Sequence, residues 1–520
     1  MPLQDLSVEI LHLICEVCPT DTLQDLRLTS QKLCTVANKH LLPEVVICLE
    51  ATDLRRLHEI SKSSEGIRNG IKSLIVQADA CAYTTDEIER FPSLQKWMND
   101  RTEFLLQSDA ELLELRRTIK SRRQTQQRRD LLNQLEHFLK ETHALQDDQA
   151  LAETYYAEFR RQYVSQKKLF GVPISQQTQQ MPAVIVRQVI KDALSPLIKS
   201  CANISKLAIN TEHAVRRNAG LTNKNFLQSL TIPHRCPGLD LLLGICEAIW
   251  PVAIESGWKV DDWSLTGIIP RSVQQATPNE VPDEELPVFL QFMQNFRKFS
   301  LCFNGANAKD EDYDRGVESQ WAFYRDEFAA GCTIYWLPYM PKIEDFRLTY
   351  PVAPMVDWRV DIQVALQEKF IPHLTLLHIS NFQCDTEGLE RYLVLHKDTL
   401  QDLKLSDVHL RGSNWPACLT TIAGRFSCLR RAKLLAPLTS LDSEVDEEMV
   451  YYIGQYMQSS AQIEDHQNAV ERYILMGEGP APSWTVEEMV ETDGEGDEEG
   501  SVMDYSEGTA SEESDQDMMD

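Results

Sequence analysis

The chain has 520 residues, an apolar fraction of 43% and a net charge of −28. It is too long for one ordinary compact domain unless it is a repeat array, and apolar enough to build a core. Sixteen acidic residues and no Lys or Arg fall between Gly477 and Asp520, leaving −12 for the rest, so the basic field of a general nucleic-acid binder is missing. No apolar run reaches the length of about 18 residues that a membrane span needs. The start, Met1-Pro2-Leu3-Gln4-Asp5, also lacks the features of a secretory signal. The expected location is cytoplasmic and/or nuclear, with no membrane partner.

Along the first forty residues, Leu6, Ile10, Leu13 and Ile14 recur at helical spacing, as do Leu23, Leu26 and Leu33. Pro19 and the Thr20-Asp21-Thr22 cluster divide them, with Asp21 or Thr22 placed to cap a second helix. Short amphipathic helices this apolar need a partner surface or a larger body to pack on. Cys15-Glu16-Val17-Cys18 beside His12 has the look of a metal pair, but no second such pair follows and the residues fall in a helix. Core packing is the better reading. The thirteen cysteines are scattered through apolar runs, as small hydrophobes are.

This segment resembles an F-box, the helical module that docks a Skp-type adaptor and through it joins a cullin-based ubiquitin ligase. It departs at Ser7, where the family usually has Pro. The resemblance and the apolar pattern together assign Leu6, Ile10, Leu11, Ile14, Leu23, Leu26 and Leu33 to the adaptor surface, with Arg27 and Ser30 at polar positions among them. About half of these are expected to pack on the chain itself, because apolar helical interfaces share their stripe between self and partner.

Beyond the box, the pattern apolar-x-x-apolar-x-apolar recurs. It appears at Ile71/Leu74/Val76, Ile204/Leu207/Ile209, Leu227/Leu230/Ile232, Val260/Trp263/Leu265 and Phe296/Phe299/Leu301. It continues at Ile343/Phe346/Leu348, Leu374/Leu377/Ile379, Leu400/Leu403/Leu405 and Leu429/Ala432/Leu434. The last two apolar residues of each read as a short strand with alternate side chains inward. From Ile204 the starts lie 23, 33, 36, 47, 31, 26 and 29 residues apart. Helical stretches precede most strands: 184–198, 239–250, 287–296, 320–329, 361–370, 386–396 and 416–426. One strand and one helix per unit is the leucine-rich-repeat plan, though the consensus Asn after the last Leu is mostly absent. An ordinary α/β sheet with crossover helices is the alternative.

The expected fold is therefore α/β: an N-terminal helical F-box followed by an irregular leucine-rich-repeat solenoid, with a long helical insert and a disordered acidic tail. The expected boundaries are 1–45 for the box, 46–83 for a linker and first repeat strand, 84–180 for the insert, 181–476 for the array and 477–520 for the tail. The insert carries a basic run, Arg116 to Arg129, that reads as a solvated helix face because no aromatic residues interleave with it. The tail is too polar to offset its ordering entropy by burial. Ser501, Ser506, Ser511 and Ser514 sit among its acids, and Ser514-Asp515-Gln516-Asp517 resembles an acid-directed kinase site; a solubilising tail without regulation is the alternative.

No phosphate-binding glycine loop, nucleophile elbow or zinc-protease motif occurs, and the twelve His do not cluster. No catalytic residue, metal or cofactor is expected. Candidate substrate contacts are the strand residues between the inward leucines: Lys206, Asn210, Asp262, Lys298, Asp345, and above all Arg347, His378, Asp402, Lys404, Arg431 and Lys433 on the more charged later strands. The whole chain resembles fungal F-box proteins with degenerate leucine-rich repeats, whose box is followed by a stretch like His40-Leu41-Leu42-Pro43. The resemblance implies a substrate-receptor subunit of a Skp/cullin/F-box ligase with an unknown protein substrate. The alternative is a leucine-rich-repeat scaffold with no ligase role.

Overall fold

The computed structural model describes residues 3–48, 51–77, 183–201, 203–210, 249–268, 286–303, 326–351, 359–442, 447–452, 460–477 and 485–488, and isolated helical positions between 95 and 157. The expected helical insert, its basic run and the tail beyond Glu488 lie outside the described residues.

Three short helices open the chain: α1 (Val8–Val17), α2 (Thr20–Thr29) and α3 (Gln31–Asn38). Ser7 caps α1, its hydroxyl accepting from the Ile10 N–H at 3.4 Å, so the Ser that departs from the box pattern still starts the helix. The expected cap on α2 is corrected. That helix begins at Thr20 behind Pro19, with no side-chain cap, and Asp21 lies in its first turn. Lys32 Nζ ties the N-terminal turn down by donating to the carbonyls of Gln4 (2.9 Å) and Leu6 (2.7 Å).

A single large sheet follows. Its strands are β1 (Glu44–Cys48), β2 (Ser73–Gln77), β3 (Lys206–Asn210), β4 (Asp262–Ile268), β5 (Lys298–Phe303), β6 (Asp345–Thr349), the two-residue β7 (Val360–Asp361), β8 (Leu376–Asp385), β9 (Asp402–Arg411), β10 (Arg431–Asp442), β11 (Glu447–Tyr452) and β12 (Thr485–Glu488). Apart from β7, which pairs with the far half of β8, the strands stand in the sheet in chain order. All pairings up to β10 are parallel. Among the described residues, the helices between and after these strands include α4 (Ala51–Ser61), α5 (Glu65–Gly70), α6 (Ala183–Ser200), α7 (Leu286–Met293), α8 (Ile362–Leu366), α9 (Thr386–Val394), α10 (Trp415–Ile422) and, after β11, α11 (Ser460–Met476).

Burial alternates accordingly. In β3, Leu207 and Ile209 are buried while Lys206, Ala208 and Asn210 are half-exposed. The buried rows join the helices in one continuous core running from Val45 to Ile474. It is most aromatic at β4–β6, where Trp263 stacks on Trp336 at 4.9 Å and Phe299 stacks on Phe346.

A single hydrogen-bond unit repeats from strand to strand. The carbonyl just before each strand accepts from two successive N–H groups of the next: Lys72 from Ser205 and Lys206, Ser205 from Asp261 and Asp262, Asp261 from Arg297 and Lys298. It recurs at Arg297, Glu344, Thr375 and Gln401. The register is therefore constant although the connections differ in length, because the paired apolar rows forbid a one-residue slip.

Three expectations change here. The strand expected at Leu227/Leu230/Ile232 falls outside the described residues, and β3 pairs directly with β4 (Lys206↔Asp262), so none stands between them. A short apolar run of that kind suits a helix as well as a strand. The sheet also starts one strand earlier than expected: Leu42/Val45/Ile47 repeats the same pattern and forms β1, paired Val45↔Leu74 with β2. At the other end, β11 and β12 run antiparallel. Thr485–Glu488, inside the segment expected to be disordered, is a strand.

Candidate functional site

Two surfaces stand out, one at each end of the described chain. The first is the N-terminal three-helix unit, the segment expected to be the box. Leu11, Cys15, Leu23, Leu33, Val36 and Ala37 form a small core of their own, with Leu6, Leu26 and Leu41 packed against it. Of the expected adaptor contacts, Leu11, Leu23 and Leu33 thus face inward. Leu6, Ile14 and Leu26 are half-buried, and only Ile10 is exposed. Ser30 caps α3, its hydroxyl accepting from the Leu33 N–H at 3.2 Å, and Arg27 is half-buried with its Nε unpartnered.

The outward face was only partly anticipated. Ile10, Leu13 and Val17 are exposed at a spacing of three and four residues on α1, with Leu13 at 65% and Val17 at 82%. They form one stripe along the helix. Leu28 of α2 is 86% exposed. Helix α1 is therefore apolar on two sides, and only one of them is covered among the described residues. A count of apolar residues per turn, with more than one face's worth, is the signal that separates the two sets.

The box is fixed to the sheet at two points. Leu41 packs on the box core and its neighbour Leu42 on the sheet core, while the Pro43 carbonyl accepts from Lys72 and Ser73. At the end of α5, a Cβ on Gly70 would come within 2.3 Å of the Lys39 carbonyl oxygen, so only glycine allows this approach. His12 and His40 meet across the same junction at 2.8 Å (Nδ1 to Nε2), and burial with the neighbouring His12 lowers the pKa of His40.

The second surface is the open face of the sheet. The register collects its side chains into rows. Along one row, Lys206, Asp262, Lys298, Asp345, Leu376, Asp402 and Arg431 are direct neighbours. Charge largely alternates there, and Asp402 meets Arg431 at 3.9 Å. The next row reads Arg347, His378, Lys404, Lys433, one from each of β6, β8, β9 and β10. All six favoured substrate-contact residues thus occupy two adjacent rows of one face.

The second row does not offset its own charge. Arg347 donates two hydrogen bonds to Asp345, at 2.9 and 2.8 Å, but no carboxylate lies within ion-pair distance of Lys404 or Lys433 among the described residues. Like charges directly opposite across strands are destabilising. The strain appears in the titration. Burial, with Arg347 and Lys433 beside it, lowers the Lys404 pKa. Burial, with Lys404 and Arg347, brings His378 down to about 4. His378 is therefore neutral at pH 7, its Nε2 within 3.1 Å of Ser380 Oγ and 3.5 Å of Ser406 Oγ. Those hydroxyls belong to a third row, Asn210, Thr266, Cys302, Thr349, Ser380 and Ser406.

No three His, Cys, Asp or Glu side chains converge as a metal site among the described residues. Cys15 is buried and its thiol pKa is raised by that burial. No helix among the described residues is long and apolar enough to cross a membrane. No protein-family model and no curated protein matches this chain. The fold and its surfaces define an α/β protein with one open parallel sheet face and an apolar helical end.

Proposed function

We propose that this protein is the substrate-receptor subunit of a Skp/cullin/F-box ubiquitin ligase, with the box docking the adaptor and the open sheet face taking a protein substrate. The observation that carries the reading is the unused apolar side of α1, Ile10, Leu13 and Val17, on a helical unit with its own small core at the end of the chain. Isolated exposed apolar residues are ordinary, whereas a contiguous stripe marks a docking surface. A receptor of this kind does no chemistry itself. It raises the effective concentration of substrate beside a charged conjugating enzyme.

The sheet is read as an irregular leucine-rich-repeat solenoid. The constant hydrogen-bond unit, the strands in chain order and the alternating burial of strands such as β3 and of the first halves of β8 and β9 support this reading over a doubly wound sheet, which buries both faces. The open face is then the long, one-sided surface that repeat proteins offer to protein ligands.

The second reading, a repeat scaffold with no ligase role, is favoured by the inward Leu11, Leu23 and Leu33 and by the close seat of the box on Gly70. Affinity purification of the tagged full chain separates the two. A receptor brings down a Skp-type adaptor and a cullin; their absence, with other partners still recovered, rules for the scaffold. The Lys404→Glu/Lys433→Glu variant keeps the adaptor and loses the substrate.

A further inference from the structure

The row Arg347, His378, Lys404, Lys433 is costly to leave bare, and the chain itself carries a segment of opposite character. Between 489 and 520 there are thirteen Asp or Glu and no Lys or Arg. The fold delivers that segment to the right edge of the sheet: β12 is two strands away from β10, which holds Lys433, and Glu488 pairs with Met449 beside the far end of β10. We infer that the acidic C-terminal segment docks on the open face at Lys404 and Lys433, occupying the surface in competition with acidic protein ligands. The contact is within one chain and involves no adaptor, so it stands or falls apart from the ligase reading.

Reach decides whether this is feasible. From Glu488 to Lys433 the path crosses two strand spacings and descends about seven residues of β10, roughly 25 Å in all. A segment of 32 residues, taken as an unpacked chain as its composition predicts, has a root-mean-square span of about 30 Å. A tether whose span matches the distance gives the highest effective concentration, in the millimolar range. Surface ion pairs are individually weak, and tethering at that concentration is what makes several of them sufficient. The alternating row beside it serves the tail less well, because its own carboxylates Asp262, Asp345 and Asp402 stand directly beside its cations Lys206, Lys298 and Arg431. Within the basic row, Lys404 and Lys433 are the cations left without an ion pair among the described residues.

Zero-length carbodiimide coupling on the full chain tests the contact directly, since it joins an ammonium to a carboxylate only at ion-pair distance. At an ionic strength of about 10 mM, where the screening length is about 30 Å, monomeric protein is expected to yield bonds from Lys404 or Lys433 to carboxylates between Glu491 and Asp520. They fade at about 1 M salt. Coupling of the tail to other lysines, with Lys404 and Lys433 untouched, would overturn the inference.

A second arm uses a full chain whose thirteen tail acids are changed to Asn or Gln, with its melting temperature checked against wild type. A labelled peptide of residues 489–520 added in trans should bind this chain at least about 10-fold more tightly than wild type, whose own tail competes. Adding Lys404→Gln and Lys433→Gln to the neutralised chain should abolish the gain. Equal binding to both chains, or no binding to either, refutes the proposal.

Discussion

Leu11 and Leu13 are two residues apart on α1 and do opposite work. Leu11 is 1% exposed in the box core, whereas Leu13 points outward with Val17. Leu13→Asp with Val17→Asp should therefore remove adaptor capture and leave the melting temperature where it was, since neither side chain is part of a core. Leu11→Ala should instead destabilise the box by about 2–5 kcal/mol, the usual range for a buried leucine. If pull-down and calorimetry show the reverse pattern, the outward stripe is not the docking surface. Buried histidines make a separate prediction about acid. His409 donates or accepts at 2.8 Å with Thr439 Oγ1, and burial with Arg359 and Arg411 nearby brings its pKa down to about 3. His378 is lowered to about 4. Both folded values lie below the ordinary value of 6.5, so as pH falls below 6.5 the unfolded chain binds protons that the native chain refuses. The stability these groups contribute is present above pH 6.5 and drains away toward pH 3. Denaturant unfolding at a series of pH values should show this decline, and His409→Asn should flatten it. A slope unchanged by that substitution would assign the acid sensitivity to the carboxylates.

At the scale of elements, β4, β8 and β9 turn a corner at equivalent positions; in β4 it falls at Gly267 (φ 77°), just before Ile268 pairs with Phe303. Asn381 in β8 and Asp407 in β9 have positive φ, 62° and 53°. Beyond them each strand continues with a second paired stretch, Phe382↔Val408 and Gln383↔His409. Short polar residues tolerate this conformation best, and both also satisfy buried partners. Asn381 Nδ2 donates to the Tyr350 carbonyl at 2.9 Å, and Asp407 accepts from Arg359 at 2.7 Å in a pair whose side chains are both under 10% exposed. Asp407→Asn keeps the backbone conformation and removes the charge, leaving the Arg359 guanidinium buried without its counter-ion. It should cost about 3–5 kcal/mol, and replacing Arg359 by Met in the same chain should restore much of that. Thermal unfolding of the two single variants and the double variant tests it, and additive losses would mean the pair is not coupled.

None of this corner was legible in the sequence. Leucine spacing sees only the apolar rows, and an Asn or Asp between two such rows looks like any solvated residue. The rows themselves were legible, because Leu377/Ile379 and Leu403/Leu405 alternate with polar residues over the one buried face and the pattern repeats. β1 was passed over because its Leu42/Val45/Ile47 follows directly on the box and was absorbed into it. The basic row was legible residue by residue; what the sequence could not show was that Arg347, His378, Lys404 and Lys433 fall in register, since connections of unequal length hide it.

For the whole molecule, the question is how far damage in one strand travels. The buried rows form one continuous core, yet each strand touches mainly the strands before and after it. In such an array, stability is a sum of units and nearest-neighbour contacts, and order can be lost locally. A doubly wound sheet of similar size shares its core more widely and unfolds as a whole. Leu403→Asp distinguishes these. Leu403 is 1% exposed, between Leu377 of β8 and Ala432 of β10, and an unpaired carboxylate there costs several kcal/mol. Native-state hydrogen exchange on this variant should show lost protection at β8, β9 and β10 first, with the ladder from β1 to β3 still protected and the box helices unaffected. The N-terminal strands retain their own partners, Val45 with Leu74 and Leu74 with Leu207, none of which depends on β9. Uniform loss of protection from β1 to β10 would show a single cooperative body and argue against the repeat reading of the sheet. Retention at one end with loss at the other is the signature of a one-dimensional array.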